Sequence, residues 1–254
     1  MEEKKLITKL TKILNDLFSH YQKQLTAKKI GALVSGGIDS SLIAYFTSNF
    51  FKNPTLFTLQ SKEGLDLFYV KILNQKLKEK LVVVNFAQQE VDLVKPEVIK
   101  VLEKIKLEIN PTQISLACAF FLLLKKTKEE GIEVIFTGQG PDILLAGYHQ
   151  YKNVSLTDLN EKIKNDLPLL ETDKKRDQAV ADYFGIRLIN PYLEKEFIDF
   201  ALLLEPKYKI NKINDEIYEK YLIRKVGEAL KLPKEIYLRH KKALQYSTRM
   251  RKYV

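Results

Sequence analysis

With 254 residues, 45% of them hydrophobic, the chain is long enough for one large domain or a sheet domain with a helical appendage. Its single cysteine excludes an internal disulfide, a Cys-x-x-Cys zinc site and any two-thiol sulfur transfer within the chain. The formal charge of +10 attracts anions, and without a long apolar run or signal-peptide pattern a cytoplasmic protein with no membrane partner is expected.

Leu6 to Tyr21 reads as a helix, and Ile30 to Val34 as a buried strand of a parallel sheet. A helix over 40–50, a strand over 55–59, a helix over 64–78 and a strand over 81–85 follow. A charged and apolar mixture spans 90–109. Beyond Pro111 comes a strongly apolar helix, 112–128, in which Cys118 is read as core packing. Residues 132–136 are the next buried strand. From about 156 the pattern is helical and charged, without convincing strands. The expected fold is α/β, a parallel sheet flanked by helices with a helical C-terminal part, divided softly into 1–155 and 156–254. Right-handed crossovers then place ligands at the carboxyl edge of the sheet.

Ser35-Gly36-Gly37-Ile38-Asp39-Ser40 joins the first strand to its helix. Two glycines allow close backbone approach, and the first-turn N–H groups of a helix favour an anion. Asp39 repels phosphate unless a cation lies between them, so it is read as a Mg²⁺ ligand. A plain βα turn with a capping serine is the competing reading. No lysine follows the glycines as in a Walker loop, and no Gly-x-Gly-x-x-Gly fingerprint is present. Gly138-Gln139-Gly140-Pro141-Asp142 repeats the same logic after the strand at 132–136. If both loops lie on one sheet edge, Asp39 and Asp142 can share a magnesium ion with phosphate oxygens and water.

The first loop resembles the pyrophosphate-binding loop of the N-type ATP pyrophosphatases, which cleave ATP between the α and β phosphates. The second, with Leu144, Gly147 and Tyr148, resembles a stretch of asparagine synthetase domains and the related β-lactam synthetases. Asp66, Gly185 to Glu194, Lys220 to Arg224 and Arg239-His240-Lys241 extend the likeness in order, over about residues 10–245. Two acids of that stretch are missing: Gln139 stands for the first glutamate and Ile143 for the second, while Pro141 replaces a small residue.

The resemblance implies an adenine nucleotide alpha hydrolase-like fold and ATP and Mg²⁺ as cofactors. It implies Leu33, Ser35, Gly36, Gly37, Asp39, Ser40, Leu59, Gly138 and Arg239 in nucleotide binding, with Asp39 and Asp142 on the metal. Lys241 is the first catalytic candidate, an ammonium facing the α-phosphate, and Gln139 and Tyr148 complete the catalytic set. Tyr151 is a further candidate for the acceptor pocket. Gln139 is neutral and cannot take a proton, so the acyl substrate or nucleophile is expected to differ from aspartate and ammonia. Glutamine-dependent relatives carry a cysteine at position 2; here Glu2 stands there, so cysteine-route glutamine hydrolysis is not expected.

The leading reading is an AMP-forming ligase: a carboxylate attacks the α-phosphate, pyrophosphate leaves, and ammonia or an amine attacks the acyl-adenylate. Its partners would be a small carboxylate, ammonia or an amine, and in one version a separate glutaminase subunit. The runner-up is an RNA-modifying enzyme of the same superfamily. Residues 236–254, with six Lys and Arg and no acid, lend it weak support. The third is an ATP-binding protein altered in catalysis.

Overall fold

The computed structural model describes residues 1–240 and 244–254, with the backbone alone at 244 and 245. The amphipathic α1 (Glu2–Gln24) leads into β1 (Ile30–Leu33), every residue of which is buried, and then α2 (Ile38–Phe50). β2 (Thr55–Gln60), α3 (Asp66–Leu77) and β3 (Lys80–Asn85) follow. Two successive helices, α4 (Gln88–Lys104) and α5 (Pro111–Glu129), precede β4 (Val134–Phe136). After the short α6 (Pro141–Leu144) come the long α7 (Leu159–Phe184), β5 (Arg187–Ile189) and α8 (Lys195–Leu203). A hairpin of β6 (Ile210–Ile213) and β7 (Glu216–Glu219), then α9 (Tyr221–Ala229) and α10 (Lys234–Tyr237), lead to the tail.

The first five strands make one parallel sheet in the order β3–β2–β1–β4–β5. Ala32 of β1 stands opposite Leu56 on one side and Phe136 on the other. The chain steps outward from β1 to β3 and then returns to the far side of β1. The order therefore reverses between β1 and β4, where a crevice opens at the carboxyl ends. Both glycine loops leave the sheet at that point.

Each face of the sheet is covered. On one side Phe18 of α1 stacks on Phe46 of α2 at 5.5 Å and on Phe136 of β4 at 5.1 Å. On the other, Val98, Leu124 and Val180 join α4, α5 and α7 in a second apolar cluster. Cys118 lies fully buried there, and burial pushes its thiol pKa up to about 12, as packing rather than chemistry requires.

The expected strands appear within two residues of their places. β4 begins at Val134 because the Ile132 N–H still closes the end of α5 on the Thr127 carbonyl. The mixed segment at 90–109 contains α4, whose Glu90 carboxylate accepts from the Ala87 N–H. The expectation of a strandless C-terminal part is corrected by β5 and by the β6–β7 hairpin. Arg-Leu-Ile is too short to show a period. It becomes a strand because the Arg187 and Thr137 N–H groups bond across to the Glu133 and Ile189 carbonyls. Among the described residues, no helix is long and apolar enough to cross a membrane.

Lys209, beside β6, is fully buried, and among the described residues its ammonium has only the Asn160 side-chain oxygen, 2.7 Å away, as acceptor. Burial lowers its pKa to about 8, with Lys164 adding repulsion. Between about pH 8 and 10.5 the unfolded chain therefore binds more protons at this site than the fold does, and its contribution to stability rises with pH. The denaturant midpoint of Lys209→Met minus that of wild type is expected to fall across this window. A flat difference would refute the burial effect.

Candidate functional site

Ser35-Gly36-Gly37 turns directly from β1 into α2. The Ser40 hydroxyl accepts from the Ser35 N–H at 3.1 Å and donates to the Gly37 carbonyl at 3.2 Å, so the loop is tied to itself. α2 starts at Gly37 without a side-chain cap, which leaves its first-turn N–H groups facing outward. The Tyr192 hydroxyl, from the turn after β5, donates to the Asp39 carbonyl at 3.2 Å and fixes this helix start from behind.

The loop after β4 packs on the first. Gly138 lies against the backbone of Asp39 and Ser40, and a Cβ there would stand 2.6 Å from the Ser40 nitrogen. Asp142 in α6 and Asp39 in α2 converge on one group, the ammonium of Lys220, which pairs with Asp39 and lies 2.5 Å from an Asp142 oxygen. Lys220 is only 3% exposed and reaches the pair over Gly147, where a Cβ would collide with its stem. Burial alone lowers the pKa of such an amine. The charges of Asp142 and Asp39, with their hydrogen bonds, more than offset this and hold it above its ordinary value.

A second clamp holds the loop from the tail. The Arg239 guanidinium donates to the Ser35 carbonyl and to Asp66, both at 2.6 Å, and lies 3.9 Å above the Tyr69 ring. Ser247 donates to the other Asp66 oxygen at 2.8 Å. The buried Arg224 of α9 in turn donates to the Tyr237 and Arg239 carbonyls at 2.8 Å. Arg239 thus holds the first glycine loop through its backbone.

These groups line one cavity of about 530 Å³. Of the residues expected from the sequence, Leu33, Ser35, Gly37, Asp39, Ser40, Leu59, Gly138, Gln139, Asp142, Tyr148 and Arg239 are on its wall. Gly36 sits just behind it with φ +71, under Tyr69 and Arg239. Lys241 lies outside the described residues. Tyr151 is core rather than lining, its hydroxyl donating to buried Asp166 at 2.8 Å. Tyr148 does line the cavity; burial raises its pKa, and Asp142 and Asp173 push it the same way.

Sequence reasoning assigned no role to Lys220, Arg224 or Tyr192, and missed Gln113, Asp173, Arg176 and Asp177 on α5 and α7 altogether. The one local signal for α5 was its start, where Pro111 follows Asn110. The Asn110 side chain caps the Thr112 and Gln113 N–H groups, and both residues line the cavity.

Among the described residues, no three His, Cys, Asp or Glu gather as a metal site. The two carboxylates on Lys220 nevertheless fit a hard cation that keeps phosphate and water as its other ligands. The uncapped α2 start and the glycine contacts fit a polyphosphate.

The asparagine synthase family model matches residues 19–184 and 167–253. A putative glutamine-hydrolyzing asparagine synthetase of Methanocaldococcus jannaschii is 27% identical over 199 residues, covering 75% of this chain and 35% of the relative. The glutamine-hydrolyzing asparagine synthetase 1 of Lotus japonicus is 28% identical over 235 residues, covering 87% of this chain and 39% of the relative. The chain thus spans little more than a third of the length of these relatives. An NH3-dependent NAD synthetase of Campylobacter jejuni is similar at 12% identity and TM-score 0.45, over 96% of this chain and 80% of its own. With its two glycine loops meeting at Asp39 and Asp142 and the family model matched from residue 19 to 253, the chain belongs to the asparagine synthase family.

Proposed function

We propose that the chain is an ATP-dependent, amide-forming ligase that adenylates a small carboxylate, releases pyrophosphate and passes the acyl group to ammonia or an amine. The observation that carries this reading is the convergence of the two loops: Asp39 and Asp142 share one cationic partner at the carboxyl edge of the sheet, beside an uncapped helix start. Ser35, Gly37 and Ser40, with the first N–H groups of α2, hold the β and γ phosphates, and Leu33 and Leu59 flank the base. Asp39 and Asp142 would hold Mg²⁺, which when bound would supply positive charge against the phosphates. Lys220 lies deep against both acids and can turn its ammonium to the leaving group. Lys241 is assigned to the α-phosphate by the family resemblance alone. Residues 1–155 supply the loops, and 156–254 close the site with Lys220, Arg224 and Arg239. A separate glutaminase subunit is one source of ammonia in this scheme.

A pyrophosphate-release screen over carboxylate and amine panels tests it, with Asp39→Ala as the control. Acceptor-dependent release that falls at least a hundredfold in the control is expected, because the metal loses one of its two protein ligands. Release undiminished in Asp39→Ala would remove the metal assignment. A product mass matching modified RNA would transfer the activity to the other branch of the superfamily.

A further inference from the structure

Lys220 holds a backbone state that lysine rarely adopts. It stands before α9 with φ 56 and ψ 38, in the left-handed region, which crowds the side chain of any residue but glycine. Such a state persists only where its surroundings hold it. Both neighbours of Lys220 are held. The Tyr221 N–H donates to the Lys209 carbonyl at 2.9 Å, and the Glu219 carbonyl accepts from the Arg224 Nε at 2.7 Å.

The Glu219 side chain adds a third anchor. It is only 4% exposed, and its carboxylate lies 2.9 Å from the Lys152 ammonium, its one ion pair among the described residues. The other oxygen of Glu219 is enclosed and has no hydrogen-bond partner among the described residues. Lys152 lies in the helical turn His149–Asn153, which follows the second glycine loop. Earlier in the same segment Gly147 passes under the Lys220 stem, where a Cβ would stand 2.1 Å from its Cε. One stretch of chain thus grips two successive residues at the end of β7, Glu219 by charge and Lys220 by close approach.

Attraction between two buried charges does not by itself offset their loss of water, and an enclosed oxygen without a donor adds to the cost. What the pair supplies is a fixed distance. The backbone bonds tie the end of β7 to α9 and to Lys209, whereas Lys152 ties it to the segment that carries Asp142. The contacts of Lys220 with Asp39 and Asp142 do not replace this anchor. Those oxygens are the ones assigned to a cation, and a lysine held by them alone would be let go once they were engaged.

We infer that Lys152 and Glu219 are positioning residues that hold Lys220 over the two acids, whether or not those acids are engaged elsewhere. The inference rests on the ligase reading for what Lys220 does, but not for how it is held.

Acetylation of the full chain with acetic anhydride, read lysine by lysine with mass spectrometry, tests it without turnover. Lys220 and Lys209, the two buried lysines among the described residues, are expected to be protected in wild type. Lys152→Met should raise labelling of Lys220 by about tenfold or more while Lys209 keeps its protection. Lys152→Arg keeps the charge and should stay within about threefold of wild type. Combining Lys152→Met with Glu219→Gln removes the unpaired carboxylate, and Lys220 should remain exposed in that double variant. Unchanged labelling of Lys220 in Lys152→Met, an equal loss of protection at Lys209, or recovery in the double variant overturns the inference. Exposure of Lys220 with pyrophosphate release still at the wild-type rate would instead defeat its place in the ligase reading and leave its anchoring as inferred.

Discussion

Gly138→Ala is expected to reduce acceptor-dependent pyrophosphate release by about a hundredfold or more while the chain still folds. The reason is a contact rather than a torsion. A Cβ at 138 would lie 2.6 Å from the Ser40 nitrogen and 2.8 Å from its Cα, and these backbone atoms begin α2. Neither can rotate away. The second loop must back off by several tenths of an ångström, carrying Gln139 and Asp142 away from Asp39. A misplacement of that order between groups that must act together costs about 10²-fold in rate. The sheet lies behind the contact, so the melting temperature should change little. A variant with near wild-type release would show that the two loops need not touch to work.

Lys220→Met is expected to destabilise the ligand-free protein by about 2–3 kcal/mol, with Mg²⁺ recovering part of the loss. Breaking a buried pair leaves uncompensated charge, here two carboxylates facing each other. The figure sits at or below the low end for such losses because Asp142 keeps 38% of its side chain exposed, which screens it. Methionine matches the length of the stem, so packing over Gly147 is preserved. Chemical denaturation with and without millimolar Mg²⁺ reads both effects. The cation should raise the variant's midpoint more than the wild type's, because in wild type Lys220 already supplies positive charge between the acids. Equal Mg²⁺ responses would mean that Asp39 and Asp142 do not form one cation site.

Some of the site was legible in the chain because its information is local. The turn at 35–40 had to sit between a strand and a helix, and the apolar run at 132–136 put the second loop after another strand. Two loops at the ends of parallel strands share an edge by topology alone, so the meeting of Asp39 with Asp142 follows from order and handedness. Cys118 was placed in the core by the apolar helix around it. Tyr151 was not separable from Tyr148, because three residues along one short segment can face cavity and core in turn.

The parallel α/β class, the two glycine loops and the acids they present were readable along the chain, since these depend on neighbours a few residues apart. What stands between and opposite those acids comes from folding alone. Lys220 reaches Asp39 across 181 positions, Arg239 reaches Ser35 across 204, and Arg176 reaches Gln113 across 63. No periodicity or motif encodes such partners. A buried charge is tolerated only where the fold delivers its counterpart, and that counterpart can come from anywhere in the chain.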